Sequence, residues 1–360
     1  MKKRHLFAFL GSAIIAAANA QAPKYSNEFL NIGVGARALG MSNAYITSVN
    51  DVTAGYWNPA GLHGIGNQRQ IALMHSEYFA GIAKYDYGAF ATRLDSASVL
   101  GVSLIRFGVD DIPNTTELID ANGNVDYDRI TTFSAVDWGF LVSYAKDLKI
   151  SGLHVGGSAK IIRRKVGDFA GAWGFGLDAG AQYDYKKWKF AAMARDVTST
   201  FNAWSYNLSD ETKAVFIQTG NEIPENGVEI TLPKLLLGAA RRFEFGKKVS
   251  LMAELDLDNT FDGKRNVLIK SKAISMDPHI GLEAGYMDMI YLRAGLGNIQ
   301  SYTDPEGKRI KTMQPNIGVG VRIKSVYIDY ALTDIGDQSV ALYSNVFSLK
   351  IDINKKKPKS

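Results

Sequence analysis

The sequence predicts an all-β protein: a transmembrane antiparallel β-barrel of about fourteen strands with an N-terminal plug segment. Three observations carry this. Apolar and polar or small residues alternate with a period of two through most of the chain. The connections between these stretches are long and short in turn. A short apolar leader precedes them, and no other run of the chain is apolar enough for a membrane-spanning helix.

The leader reads Met1-Lys2-Lys3-Arg4, runs mostly apolar from Leu6 to Ala18, and ends in Ala18-Asn19-Ala20 before Gln21. A basic start, a short apolar core and a small-x-small site describe a secretory signal peptide over 1–20, removed near Ala20 after export through the Sec pathway. No cysteine follows, so no lipid anchor is expected there. Loss of Lys2, Lys3 and Arg4 lowers the formal charge from +5 to +2. Four more lysines sit in a basic tail, 354–360, expected to be solvated. The body is nearly neutral and lacks the basic patch of a nucleic-acid binder. With no cysteine in the chain, disulfides, thiolate catalysis and thiolate metal sites are excluded.

Within 69–353 the alternation is regular. Trp173, Phe175, Leu177, Ala179, Ala181, Tyr183 and Tyr185 alternate with Gly174, Gly176, Asp178, Gly180, Gln182 and Asp184. Val249, Leu251, Ala253, Leu255 and Leu257 alternate with Ser250, Met252, Glu254 and Asp256. The pattern predicts strands over 69–77, 83–94, 97–109, 131–146, 151–166, 171–185, 187–197, 229–243, 247–258, 276–287, 289–297, 312–324, 326–334 and 339–353. Short turns fall near 95–96, 147–150, 186, 244–246, 288 and 325, and longer loops cover 110–130, 167–170, 198–228, 259–275, 298–311 and 335–338. Outer-membrane barrels sort their connections in this way, with tight periplasmic turns and longer outer loops. A soluble sandwich alternates too, but has no reason to sort its loops. Aromatics near strand ends (Tyr183, Tyr185, Trp188, Phe190, Tyr327, Tyr330) suit interfacial girdles.

Segment 21–68 breaks the period. It carries Gly33, Gly35, Gly40 and Gly61 and the turn former Asn58-Pro59, and it precedes the first strand of a barrel with a lumen to fill. A plug packed against the inner wall follows. Two sets of residues stand out here: Gly35-Ala36-Arg37-Ala38-Leu39-Gly40-Met41, followed by Asn43-Ala44-Tyr45, and then Trp57-Asn58-Pro59-Ala60-Gly61-Leu62. They resemble the N-terminal signature of the PorV/PorQ family, within the larger FadL-like superfamily of outer-membrane barrels. Leu232-Pro233 and Leu237-Gly238-Ala239-Ala240 echo a mid-barrel strand of such proteins.

That resemblance implies a fourteen-stranded barrel with an N-terminal plug in the outer membrane, in contact with its lipid. The PorV branch serves type IX secretion: such barrels associate with the translocon barrel and collect secreted cargo through a C-terminal signal domain. The FadL branch takes up long-chain fatty acids or other hydrophobic compounds. Because the outer loops are short, the sequence favours the secretion accessory, with a FadL-like transporter as the alternative.

No enzyme signature appears in a fitting context, and the histidines look scattered. Neither a metal nor a cofactor is expected. The inward charges, Asp137, Lys160, Arg164, Asp178, Lys189, Arg195, Glu254, Asp256, Glu283 and Arg322, read as a network pinning plug to wall rather than as a catalytic pair. Arg37, the one basic residue of the plug motif, is the expected plug-to-wall ion partner. Phe201, Trp204, Tyr206 and Phe216, in the longest predicted loop, are candidates for partner recognition.

Overall fold

The computed structural model describes residues 26–66, 69–118, 124–148, 150–303, 306–333, 335 and 343–353. The leader and the lysine tail lie outside them. Seventeen strands form one antiparallel sheet: β1 (Arg69–Tyr78), β2 (Ala83–Arg93), β3 (Ser98–Asn114), β4 (Thr131–Asp147), β5 (Leu153–Val166), β6 (Ala170–Tyr185), β7 (Trp188–Arg195), β8 (Thr200–Tyr206), β9 (Gly227–Thr231), β10 (Lys234–Phe245), β11 (Val249–Thr260), β12 (Ile269–Lys270), β13 (Ser275–Tyr286), β14 (Ile290–Thr303), β15 (Arg309–Ile323), β16 (Val326–Thr333) and β17 (Ser344–Ile353). β1 pairs with both β2 and β17, with Arg69 opposite Thr92 on one side and Ile353 on the other, so the sheet closes. β7 and β8 are two halves of one wall strand along β6, as β9 and β10 are of the next, and β12 is a small side pair. The wall is a closed barrel of 14 strands. Closure pairs backbone groups that an open edge would leave unsatisfied in lipid, at several kcal/mol each.

The barrel is apolar outside. Leu73, Val142, Trp173, Leu292, Ile317 and Phe347 all face outward and are exposed. The short-turn rim carries two aromatic stacks, Tyr183 on Tyr185 and Trp188 on Phe190. Arg241 lies 5.1 Å over the Trp188 ring there, and Arg163 lies 5.1 Å over Trp173 toward the long-loop end. Cations stacked on outward aromatics at both rims suit side chains reaching for headgroups. Tyr327 differs from expectation: it sits on the inward register with Asp329, and Lys350 and Arg322 stack on its ring at 4.2 and 4.9 Å.

The predicted loop over 198–228 also changes. A break at 196–199, with positive φ at Asp196 (56°) and Ser199 (58°), interrupts the period of two. After it the strand resumes its pairing with β6, Phe175 opposite Phe201. Phe201, Trp204 and Tyr206 are therefore wall residues, not loop tips. Phe201 faces outward, while Trp204 Nε1 donates to Glu229 Oε2 at 2.8 Å. Phe216 is half-buried on a helix, Asp210–Gln218, whose Ser209 cap accepts from Thr212 N.

Candidate functional site: a plugged lumen and its outer vestibule

Residues 26–66 fill the lumen. They contain only helical turns, Glu28–Asn31, Ala36–Leu39, Ala54–Trp57 and Pro59–Gly64, joined by bends. Such a segment has many backbone groups without a partner of its own, and burial makes each one costly. The inward side chains of the wall supply the partners.

Two carboxylates of β11 do this most densely. Asp256 Oδ2 accepts from Tyr45 N (2.7 Å) and Ile46 N (3.0 Å), and Glu254 Oε1 accepts from Thr47 N (2.7 Å) and Ser48 N (3.2 Å). Three strands along the same wall, on β6, Gln182 Nε2 donates to the carbonyls of Ile46, Thr47 and Val49 at 3.1–3.2 Å. The stretch 45–49 is thus strung between β6 and β11 by its own backbone. Elsewhere, Ser143 and Ser158 donate to Gly55 O, Asn316 donates to Leu39 O, and Gln70 Oε1 accepts from Val52 N at 2.6 Å.

Ion pairs add the long clamps. Arg37 grips Glu283 through both oxygens, Nε to Oε2 at 2.7 Å and Nη2 to Oε1 at 2.8 Å. Arg293 shares that carboxylate at 2.7 Å and reaches Asp329 at 2.7 Å. Asp51 of the plug meets Lys350 of β17 at 2.7 Å. Burial alone would raise the Asp51 carboxyl. The Lys350 ammonium, the Thr53 hydroxyl and Arg37 outweigh it and hold the carboxyl down at about 2. It is therefore ionised throughout the physiological range.

The other predicted charges divide into four groups. Lys160 joins Asp178 (2.8 Å) and Asp196 (2.5 Å), closing the wall at the β7–β8 break, where Thr200 also donates to Asp196. Arg195 donates to Tyr56 O and stacks on Tyr56 and Trp57 of the plug. Asp137 pairs with Arg164 at 2.9 Å within the wall, and Arg164 also meets Glu229. Lys189, paired with Asp184, and Arg322, donating to Lys324 O, sit at the short-turn rim away from this network.

The plug motif has a local logic. Asn58 Oδ1 accepts from Ala60 N, and Pro59 opens the following 3-10 turn, where its missing N–H costs nothing. At Gly61 a Cβ would stand 2.4 Å from Val49 O, and at Gly40 it would stand 3.0 Å from Gly318 Cα. Gly35 has φ of 86°, which favours glycine. Sequence reading missed Asp51, Gln182, Arg293, Asp329 and Lys350. Arg293 and Lys350 each alternate with outward apolar neighbours, which was the available signal.

Above the plug, on the side of the long loops, lies a cavity of about 630 Å³. Phe29, Ile32, Trp57, Phe107 and Leu236 give it an apolar side, and Lys234, Asp258, Asp277, His279 and Gln314 a polar one. Two further cavities, of about 20 and 30 Å³, hold little more than one water each. Beneath the vestibule the plug is packed against the wall, with Ala36, Met41, Ala54, Asn58 and Leu62 fully buried, and it blocks the direct path to the short-turn end.

No family model matches the chain, and no curated protein matches it by sequence. Solved structures do. The toluene transporter TbuX of Ralstonia pickettii is 15% identical, with a TM-score of 0.53 over 89% of this chain and 99% of its own. The Pseudomonas putida toluene transporter TodX is 13% identical, with a TM-score of 0.55 over 89% and 98%. A FadL homologue of Pseudomonas aeruginosa gives 13% and 0.52 over 89% and 98%. The fold is that of the FadL-like outer-membrane barrels. At these identities the likeness speaks for fold alone.

Proposed function

We propose that this barrel sits in the bacterial outer membrane, exported there behind a cleaved leader, and takes up small organic molecules with an apolar body and a polar end. The carrying observation is the vestibule. Its volume matches small-ligand pockets, its two sides differ in polarity, and the plug seals its floor. Two solved barrels of like fold are toluene transporters, which supports a small cargo with an apolar body; the polar end is argued from the polar side of the vestibule. The seal has a mechanistic consequence: cargo passes only when the plug shifts. No residue group in the lumen is assigned a catalytic part.

The test is uptake of a radiolabelled medium-chain carboxylic acid by cells carrying the protein in an otherwise channel-poor outer membrane. The wild type is expected to exceed cells without it. Gln314→Trp, which projects an indole into the vestibule from β15, is expected to return uptake to background while the barrel still folds. Equal uptake with and without the protein would defeat the proposal.

A second reading, an accessory of type IX secretion, draws on the PorV/PorQ-like motif Gly35–Met41 and Trp57–Leu62 and on the helix Asp210–Gln218, whose Ile217 is 68% exposed. It requires a translocon barrel, or cargo bearing a C-terminal signal domain, to co-purify with the tagged protein from native membranes. Purification as a lone barrel would count against it.

A further inference from the structure

Two histidines that look scattered in the sequence meet at the short-turn end. His63, on the last turn of the plug, stacks on His154, at the start of β5, with ring centroids 3.3 Å apart and planes 3° from parallel. One ligand atom from each, with a carboxylate oxygen of Asp184 at the end of β6, all lie within 4.8 Å of one another. We propose that His63, His154 and Asp184 bind one divalent transition-metal cation of the zinc class, tying the end of the plug to the β5–β6 wall.

The hydrogen bonds around the rings carry the argument. His63 Nδ1 lies 2.8 Å from Ala60 O, and His154 Nδ1 lies 2.6 Å from Asp147 Oδ1. A carbonyl or carboxylate oxygen only accepts, so each Nδ1 holds a proton. The Nε2 atoms keep their lone pairs for the cation. A ring N–H anchored on a carbonyl or carboxylate is the outer support that metal-binding histidines use. The third group is also positioned. Lys189 Nζ holds Asp184 Oδ1 at 3.2 Å, and Oδ2 lies 3.8 Å from His154 Nε2, too far for a direct hydrogen bond. Burial lowers the His63 pKa, which keeps that ring in the neutral form a cation needs.

Two imidazoles and a carboxylate suit zinc, nickel or copper better than magnesium or calcium. Parallel rings 3.3 Å apart send their Nε2 lone pairs along parallel lines, so bond lengths of about 2.0–2.2 Å require the two rings to splay out of the stack and tilt their Nε2 edges toward one cation, with Asp184 drawing in and a water completing four-coordination. The site lies on the face that outer-membrane barrels turn to the periplasm, where half-exposed Asp184 leaves it open to solvent.

The experiment is zinc titration of the metal-stripped, detergent-purified barrel against a fluorescent zinc chelator, followed by thermal unfolding with and without zinc. The wild type is expected to bind one equivalent and to unfold at a higher temperature with zinc. His63→Gln, His154→Gln and Asp184→Asn are each expected to weaken binding at least tenfold and to abolish the thermal shift. His75→Gln, a surface histidine near the other end, is expected to leave both intact. Wild-type binding no tighter than that of His154→Gln, in variants that still fold as barrels, would overturn the proposal. So would binding lost equally in His75→Gln.

Discussion

Glu283→Ala is expected to cost about 3–5 kcal/mol of unfolding free energy, because it strips the shared counter-ion from two enclosed guanidiniums. Arg37 and Arg293 both close on that carboxylate, and the side chains of Glu283 and Arg293 are only 8% and 3% exposed. Arg37→Ala is expected to cost less, about 2 kcal/mol, since Glu283 keeps Arg293 as a partner. Arg242→Ala, which removes a rim pair with Asp288 at 53% and 60% exposure, is expected to stay within about 0.5 kcal/mol. Urea unfolding in detergent micelles, read by the gel shift between folded and unfolded barrel, ranks the three. A Glu283→Ala barrel as stable as Arg242→Ala would mean that the clamp does not hold the plug.

Gly295→Val is expected to unseat the plug while leaving the wall closed. A Cβ at this inward position of β14 would stand 2.2 Å from Met41 C and 2.4 Å from Ser42 N, and a backbone cannot swing aside as a side chain can. Residues near 41–42 must lift from the wall, opening the lumen beneath the vestibule. The expected readouts are protease cleavage within 26–66 and raised sensitivity of cells to a bulky antibiotic normally excluded by the outer membrane. Gly88→Val is the matched control: Gly88 is on the wall, but its nearest neighbour would be the Leu73 side chain at 3.7 Å. If both variants behave as wild type, the plug does not rest on Gly295.

The wall was legible in the sequence because its rule is local. Lipid on one side and lumen on the other force alternation, and each strand reports it independently. The rule failed where the backbone broke register: Asp196 and Ser199 adopt positive φ, and the strand holding Phe201, Trp204 and Tyr206 looked like loop. It also misplaced Tyr327, because an aromatic near a strand end suits a rim or a lumen equally. The plug was legible only as an exception to the period.

Its partners were less legible, because they depend on how an irregular segment threads the barrel. Arg37 stood out as the lone cation of its motif, yet nothing in the sequence separates Glu283 from Glu254. The first takes two guanidiniums and the second takes two backbone N–H groups. His63 and His154 belong to different elements, so only the fold could bring them face to face.

The most direct test of the account asks whether cargo passes only when the plug shifts. The chain has no cysteine, and a Cβ on Gly55 of the plug would lie 3.5 Å from Ser143 Cβ of β4, within disulfide range. Uptake of the labelled carboxylic acid should be measured in cells carrying Gly55→Cys/Ser143→Cys, oxidised and then reduced. The bond is expected to form, uptake to fall to background while it is intact, and reduction to restore uptake. Undiminished uptake with the plug locked to the wall would mean that cargo passes without any movement of the plug.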